Sequence, residues 1–212
     1  MKITCEKTAL AVNPAVIENK ADDLCSVDWV KTLFDEARRA SCGKCTFCRE
    51  GTQQIYKIIE DITNGEGESE DIALLTELAQ MIRGNSSCEI ARDATGHLLT
   101  VLEKYEDEWD MHIKRKRCPA VVCKAYISVH ILPDKCQGCT ACITACPEKA
   151  IVGGDGLIHV IDQEKCTRCG ECFAPCKYDG IVKAGAVKPK TPETPVPVGT
   201  FESGGNRRRR RG

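Results

Sequence analysis

Four stretches of the chain carry apolar residues at the spacing of one helix face. The first runs from about residue 26 to 40, the second ends at Asn64-Gly65, the third begins at Ser69, and the fourth runs from about 93 to 116. The four apolar stripes are Val30, Phe34 and Ala37; Ile55, Ile58, Ile59 and Ile62; Ile72, Leu75, Leu78 and Ile82; and Leu98, Leu102, Tyr105 and Trp109. Residues 25–117 are therefore predicted to form a four-helix bundle.

The pattern changes completely in residues 125–184, where one cysteine spacing, C-x2-C-x2-C-x3-C, occurs twice. The first copy is Cys136, Cys139, Cys142 and Cys146, and the second is Cys166, Cys169, Cys172 and Cys176. The copies also match outside the cysteines, since Lys135 corresponds to Lys165 and Ile151 to Ile181. This segment is an internal duplication.

The duplicated spacing is typical of a pair of 4Fe-4S clusters. Three thiolates on one tight loop hold three irons of a cubane, and in two-cluster ferredoxins the fourth thiolate comes from the other copy. The predicted ligand sets are Cys136, Cys139, Cys142 and Cys176 for one cluster, and Cys166, Cys169, Cys172 and Cys146 for the other. A disulfide framework or zinc sites would be the alternative, which the tandem repetition disfavours. Residues 125–184 resemble a bacterial-type ferredoxin.

A further cysteine motif opens the second predicted helix. It reads Ser-Cys-Gly-Lys-Cys-Thr-Phe-Cys-Arg-Glu-Gly-Thr over residues 41–52 and supplies Cys42, Cys45 and Cys48. A cubane needs a fourth ligand, and Cys88 lies on the loop after the third helix. The loops after helices one and three lie at the same end of an up-and-down bundle, so Cys88 is predicted to complete a third 4Fe-4S cluster.

This motif resembles the cluster motif of the NADH-binding flavoprotein subunit of respiratory complex I and of the related subunit of NAD(P)-linked, electron-bifurcating iron hydrogenases. Members of the hydrogenase type also carry a two-cluster ferredoxin domain, as this chain does. In that family a flavin- and NADH-binding domain precedes the bundle. Here about forty residues precede the motif and no glycine occurs before Gly43. The chain alone is therefore expected to bind neither FMN nor NAD.

Four other residues form a candidate zinc site: Cys25, His112, Cys118 and Cys123. Helix one begins and helix four ends at the same end of an up-and-down bundle, so these residues can converge. Three thiolates and one imidazole suit tetrahedral zinc. The hydrogenase-type relatives carry a similar His...Cys-Pro-Ala...Cys segment, which supports zinc, whereas three ordinary buried thiols beside a helix-end histidine remain the alternative. Cys5 receives no role.

The composition of the chain indicates the kind of cellular compartment in which it works. Sixteen cysteines without a secretory signal or a long uncharged apolar run indicate metal sites in a reducing cytoplasm, with no membrane span. The formal net charge of -1 includes five positive charges at 207–211, so the rest of the chain carries -6. This arginine run follows a Pro- and Thr-rich segment, and residues 185–212 are predicted to be a disordered tail. Such runs are usually solvated, so we do not predict a nucleic-acid partner from it.

The sequence thus predicts an α+β protein. Its parts are an N-terminal extension (1–24), a four-helix cluster-binding bundle (25–117), a zinc-binding connection (118–124), a two-cluster ferredoxin domain (125–184) and a disordered tail (185–212). The expected function is electron relay between a separate flavin/NAD(P)H subunit and a hydrogenase, a formate dehydrogenase or soluble ferredoxin in a hetero-oligomer. The chain by itself is not expected to be catalytic. The competing functions are substrate chemistry at an open iron and a non-redox zinc or iron-sulfur scaffold, associated with nucleic acid through the arginine tail.

Overall fold

The computed structural model describes residues 10–201, which divide between Tyr126 and Ile127 into two compact units. The first unit is helical and the second is built on short strands, in agreement with the predicted α+β class. Cys5 and the arginine run at 207–211 lie outside the described residues. In the part that is described, no helix is both long and apolar enough to cross a membrane.

The helical unit is held together by the apolar faces of its helices. In chain order these helices are α1 (Ala15–Glu18), α2 (Ser26–Ala40), α3 (Thr46–Asn64), α4 (Asp71–Asn85), α5 (Glu89–Lys104) and α6 (Glu106–Ile113), with a 3-10 turn at Lys124–Tyr126. Helix α2 packs against α3 and α5, and α4 packs against the same two helices. The residues between them are fully buried, including Phe34, Ile55, Leu75 and Leu98. Burial of these side chains is the main stabilising term for this unit.

The end of α3 follows from a glycine. Gly65 adopts φ 93°, its N–H donates to Ile62, and the N–H of Glu66 donates to Asp61. These two bonds satisfy the last carbonyl groups of the helix, and the left-handed backbone at their centre favours glycine. The predicted stop at Asn64-Gly65 is confirmed.

The predicted fourth helix is interrupted. Tyr105 leaves the helical backbone (φ -122°, ψ 34°) and separates α5 from α6. Its hydroxyl donates to the carbonyl oxygen of Ile17 at 2.6 Å, and the amine of Lys104 donates to that of Glu18 at 2.8 Å. The break therefore coincides with the place where the N-terminal segment binds to the helices, a contact that the apolar stripe does not encode.

The second unit exchanges strands between its two repeats. Its elements are β1 (Ser128–Ile131), α7 (Ala141–Ala145), β2 (Ile151–Val152), β3 (Leu157–Ile158), β4 (Val160–Ile161), β5 (Ile181–Ala184) and β6 (Val196–Pro197). Strand β1 of the first repeat pairs with β5 of the second, and β2 of the first pairs with β4 of the second. The chain that leaves each cysteine run is thereby carried to the other repeat.

The segment predicted to be disordered from residue 185 is in part ordered, and that boundary is wrong. Val196 pairs with Ile158 in the ladder between β6 and β3, and the N–H of Val198 donates to Gly156 at 3.0 Å. Val198 and Phe201 pack against the core of the second unit. Backbone pairing with a distant strand outweighs the proline content that indicated disorder. The remainder of the predicted tail, 202–212, lies outside the described residues.

Candidate metal centres

The candidate zinc site is a compact buried cluster within the helical unit. Cys25, His112, Cys118 and Cys123 are all buried, and their ligand atoms lie within 4.8 Å of one another. Sγ of Cys25 is 3.3 Å from Nε2 of His112 and 3.7 Å from Sγ of Cys123. Cys25 occupies the N-cap of α2, where the helix dipole favours a thiolate. The structure therefore brings together the four residues that the sequence grouped, in a set that suits a tetrahedral ion.

A second layer of contacts fixes the imidazole of His112. Its Nδ1 lies 2.8 Å from the backbone carbonyl oxygen of Glu108, one turn earlier in α6. Because a carbonyl only accepts, Nδ1 carries the hydrogen and Nε2 points its lone pair at the thiols. Tyr126 packs edge-on against the imidazole at 5.3 Å, and its hydroxyl donates to the carbonyl oxygen of Ile62 while lying 3.1 Å from that of His112. Nε2 is thus oriented for a metal.

Hydrogen bonds among the three thiols of this cluster shift their pKa values. Hydrogen bonds with Cys118 and Cys123, reinforced by burial, raise the pKa of Cys25. Hydrogen bonds from Cys123 and Cys25 lower the pKa of Cys118. The three thiols are thus close enough to exchange hydrogen bonds with one another. A divalent ion would replace those protons and take all three sulfurs as ligands.

The cysteine motif of the helical unit faces the loop before α5. Cys45 lies at the N-cap of α3, and its Sγ is 3.5 Å from the hydroxyl of Ser86. Ser86 also accepts a hydrogen bond from the N–H of Cys88, which is itself the N-cap of α5. The hydroxyl of Ser86 therefore contacts both the thiol of Cys45 and the backbone N–H of Cys88. A cubane is larger than a single ion, so its four thiols do not need direct mutual contact.

Two helix N-termini make this place favourable for negative charge. Burial raises the pKa of Cys45, but hydrogen bonds from Ser86 and from the backbone N–H groups of Cys48, Ser87 and Phe47 lower it below that of an ordinary thiol. The N–H of Ser87 comes from the loop that carries Cys88, so both loops contribute donors to one sulfur. Cys48 and Cys88 are buried, whereas Cys42 is exposed.

In the second unit, the third cysteine of each run is its central thiol, and each central thiol has neighbours from both runs. Burial, with the nearby charges of Cys136, Cys139 and Cys176, raises the pKa of Cys142 to about 11. Burial likewise raises the pKa of Cys172 to about 11, with nearby charges from Cys166, Cys169 and Cys146. Each central thiol therefore has as neighbours two cysteines of its own run and the last cysteine of the other run.

One cavity contains the second of these sets. Cys146, Cys166, Cys169 and Cys172 all line it, together with apolar side chains that include Val129 and Ile161. The surrounding strands explain the position of Cys146. The N–H of Asp162, after β4, donates to Ala150 at 2.7 Å, which holds the chain that follows Cys146 against the second repeat. A thiol-lined, largely apolar cavity is chemically suited to an iron-sulfur cluster.

Two polar residues beside the candidate ligands were not found by sequence reasoning. Ser86 contacts Cys45, and Nδ1 of His159 lies 3.2 Å from Sγ of Cys142. Neither belongs to a cysteine spacing. The sequence contained one signal for His159, because the duplication aligns this residue with an apolar one, Val129. Ser86 had no comparable signal, since its role depends on contact between two loops.

Two family models match the chain. The model of the NADH-ubiquinone oxidoreductase-F iron-sulfur binding region matches residues 28–112, which contain the helical cysteine motif. The model of a 4Fe-4S dicluster domain matches residues 135–181, which contain both tandem runs. The two matched regions lie in different compact units.

Curated proteins resemble the chain over parts of their length. It is 35% identical to the NADP-reducing hydrogenase subunit HndC of Solidesulfovibrio fructosivorans over 162 residues, 76% of this chain and 33% of that protein. It is 36% identical to the F 2 subunit of the NADH-quinone oxidoreductase of Rhizobium meliloti over 98 residues, 46% of this chain and 23% of that protein. The beta subunit of the NADP(+)-dependent formate dehydrogenase of Moorella thermoacetica is 32% identical over 92 residues, 43% of this chain and 13% of that protein. The chain thus spans a third or less of each of these relatives.

Proposed function

We propose that this chain, which joins an iron-sulfur binding region of the NADH-ubiquinone oxidoreductase-F family to a 4Fe-4S dicluster domain, relays single electrons within an NAD(P)-linked oxidoreductase. The observation that carries the proposal is the crossed arrangement of thiols around Cys142 and Cys172, which is what two cubanes require. The protein sets the position and potential of the clusters, and the clusters supply the redox chemistry.

We assign the metal centres as the sequence predicted them. Helices α2–α5 form a cluster-binding four-helix bundle, and residues 127–184 form a ferredoxin-like domain. The bundle cluster is held by Cys42, Cys45, Cys48 and Cys88. The dicluster domain has the sets Cys136, Cys139, Cys142, Cys176 and Cys166, Cys169, Cys172, Cys146. Zinc is bound by Cys25, His112, Cys118 and Cys123. The contact of Ser86 with both Cys45 and Cys88, and the burial of the four zinc ligands, support these assignments.

The partners in this proposal are other redox subunits. One partner is a flavin/NAD(P)H-binding subunit that exchanges electrons with the chain. The other is a hydrogenase, a formate dehydrogenase or soluble ferredoxin. The resemblance to subunits of an NADP-reducing hydrogenase and of a formate dehydrogenase supports a hetero-oligomer of this kind.

Metal analysis of the anaerobically purified chain is the direct test. We expect about twelve irons and about twelve sulfides per chain, because three complete sets of four thiolates each hold one cubane. About one zinc should accompany them. The measurement is elemental analysis combined with the visible absorption of the brown protein.

The same analysis separates the competing functions. About eight irons would contradict the cluster of Cys42, Cys45, Cys48 and Cys88, since the dicluster domain alone accounts for that number. Little iron with several zincs would contradict electron relay altogether. It would favour a zinc-held scaffold.

Reduction by nucleotide provides a second prediction. NADH alone should leave the clusters of the isolated chain oxidised, because the sequence before the helical unit contains no glycine-rich nucleotide loop. Dithionite is the control, since it should reduce the same sample. Adding the flavin-binding partner of the complex should restore reduction by NADH or NADPH. Bleaching by NADH in the chain alone would contradict this division of labour.

A further inference from the structure

His159 is a buried polar residue that none of the proposed ligand sets uses. It is 2% exposed and stands between β3 and β4 in the second unit. Its Nδ1 lies 3.2 Å from Sγ of Cys142, and its Nε2 lies 3.2 Å from the carbonyl oxygen of Gly154. The imidazole is therefore held by polar contacts at both nitrogens, one of which is to a proposed cluster ligand.

The backbone leaves room for this imidazole at one specific place. A Cβ on residue 153 would collide with Cδ2 of His159, so the glycine at that position allows the close approach. Iron-bound thiolate sulfur carries no proton, so a hydrogen bond across the contact with Cys142 must be donated by Nδ1 of the imidazole. The carbonyl oxygen of Gly154 also only accepts, so the two contacts together require a hydrogen on both nitrogens of His159. Donors to cluster sulfur stabilise the more negatively charged, reduced state and raise the reduction potential.

The duplication provides an internal comparison. The cysteines of the second run follow those of the first by thirty positions, and the residue thirty positions before His159 is Val129. Val129 and Cys172 line the same cavity around the other set of thiols, so valine stands in this half where histidine stands in the other. Valine has no donor. The two halves of the dicluster domain thus differ by one buried hydrogen bond beside the central thiolate.

We propose that His159 donates an N–H···S hydrogen bond to Cys142 and raises the potential of the cluster held by Cys136, Cys139, Cys142 and Cys176 above that of its twin. This inference rests on the proposed function, because it requires both clusters to be bound. His159 is a positioning residue for charge and not a ligand. An electron shared by the two clusters then resides preferentially on the His159 side.

Replacing His159 with valine, the residue of the other repeat, tests the proposal. We expect the midpoint potential of one cluster to fall, with its reduction equilibrium shifted about tenfold, or about 59 mV for a one-electron couple. The other cluster should keep its potential. The measurement is a redox titration of the full, anaerobically purified chain followed by electron paramagnetic resonance. The His159→Gln variant retains a hydrogen-bond donor, so its midpoint potential should fall less than that of His159→Val.

His130→Val is the matched control. His130 is also buried, but its Nε2 contacts the hydroxyl of Ser128 at 2.7 Å and not a cysteine. Both cluster potentials should therefore stay at their wild-type values in this variant. Unchanged potentials in a fully loaded His159→Val variant would overturn the inference. Absence of iron from the wild-type chain would overturn the proposed function instead.

A measurement on the unmodified sequence covers the case in which the valine variant fails to load. Wild-type protein grown with isotopically labelled histidine should show a hyperfine coupling between an imidazole nitrogen and one of the two reduced clusters of the dicluster domain. Absence of such a coupling would contradict the hydrogen bond between His159 and Cys142.

Discussion

Replacing Cys118 with serine is expected to remove about one zinc ion per chain, because a closed tetrahedral site does not retain its metal well with three ligands. The iron content should stay the same, since no proposed cluster uses this thiol. A zinc ion bound there would tie the start of α2, through Cys25, to α6 and to the segment after it, through His112 and Cys123. Metal binding to such a site contributes directly to folding.

The loss of zinc should therefore appear as a loss of stability. We expect the thermal midpoint of the chain to fall by roughly 10 °C or more, since about 1 kcal/mol corresponds to several degrees in a domain of this size. Elemental analysis and thermal unfolding by circular dichroism measure the two effects. Cys5→Ser makes the same chemical change at the cysteine without an assigned role and serves as control. Wild-type zinc content in both Cys118→Ser and His112→Ala would refute the site.

Double substitutions in the dicluster domain should reveal which cysteines share a cluster. Under the crossed assignment Cys146 and Cys172 bind the same cluster, so the double variant Cys146→Ala with Cys172→Ala should lose that cluster alone. About four irons should be lost. Cys146→Ala combined with Cys142→Ala affects both clusters and should remove about eight. Each pair serves as the control for the other, because both contain two cysteine-to-alanine changes in the same domain.

The opposite pattern of losses would show that each run binds its own cluster. The strand exchange argues against that result. Cys146 is followed by β2, which pairs with β4 of the second repeat, and Cys176 is followed by β5, which pairs with β1 of the first. The backbone hydrogen bonds that connect the repeats therefore direct each last cysteine toward the other repeat. Iron analysis of the two double variants decides between the assignments.

The sequence predicted most of the helical unit because its signals are local. Helix periodicity located α2 and α4, and Gly65 located the end of α3 through its left-handed backbone. The predicted start of the third helix at Ser69 was two residues early, since α4 begins at Asp71 and Glu70 occupies its N-cap. The break at Tyr105 was missed because its hydroxyl bonds to Ile17, far away in the chain.

For the site, too, the features that depend on local sequence were predicted, and the contacts between distant segments were not. Cysteine spacing identified the tandem runs, and helix direction grouped His112 with Cys25 and the cysteines after α6. The polar contacts of Ser86 and His159 were not predicted, because each joins residues on separate loops or strands. The ordered part of the tail was missed for the same reason, since its pairing partner, β3, lies well before it in the chain.

The distribution of exposed thiols has a consequence for survival in air. Each proposed cluster has one exposed cysteine, namely Cys42, Cys139 or Cys169, whereas all four proposed zinc ligands are buried. Dioxygen reaches a cluster first at its exposed corner, so oxidative decay should begin there. Zinc has no redox chemistry, and an ion at the proposed site would be enclosed by four buried side chains. A chain that has lost its clusters in air should therefore keep its zinc and the fold of its helical unit. Adding iron and sulfide to such a chain should restore the clusters.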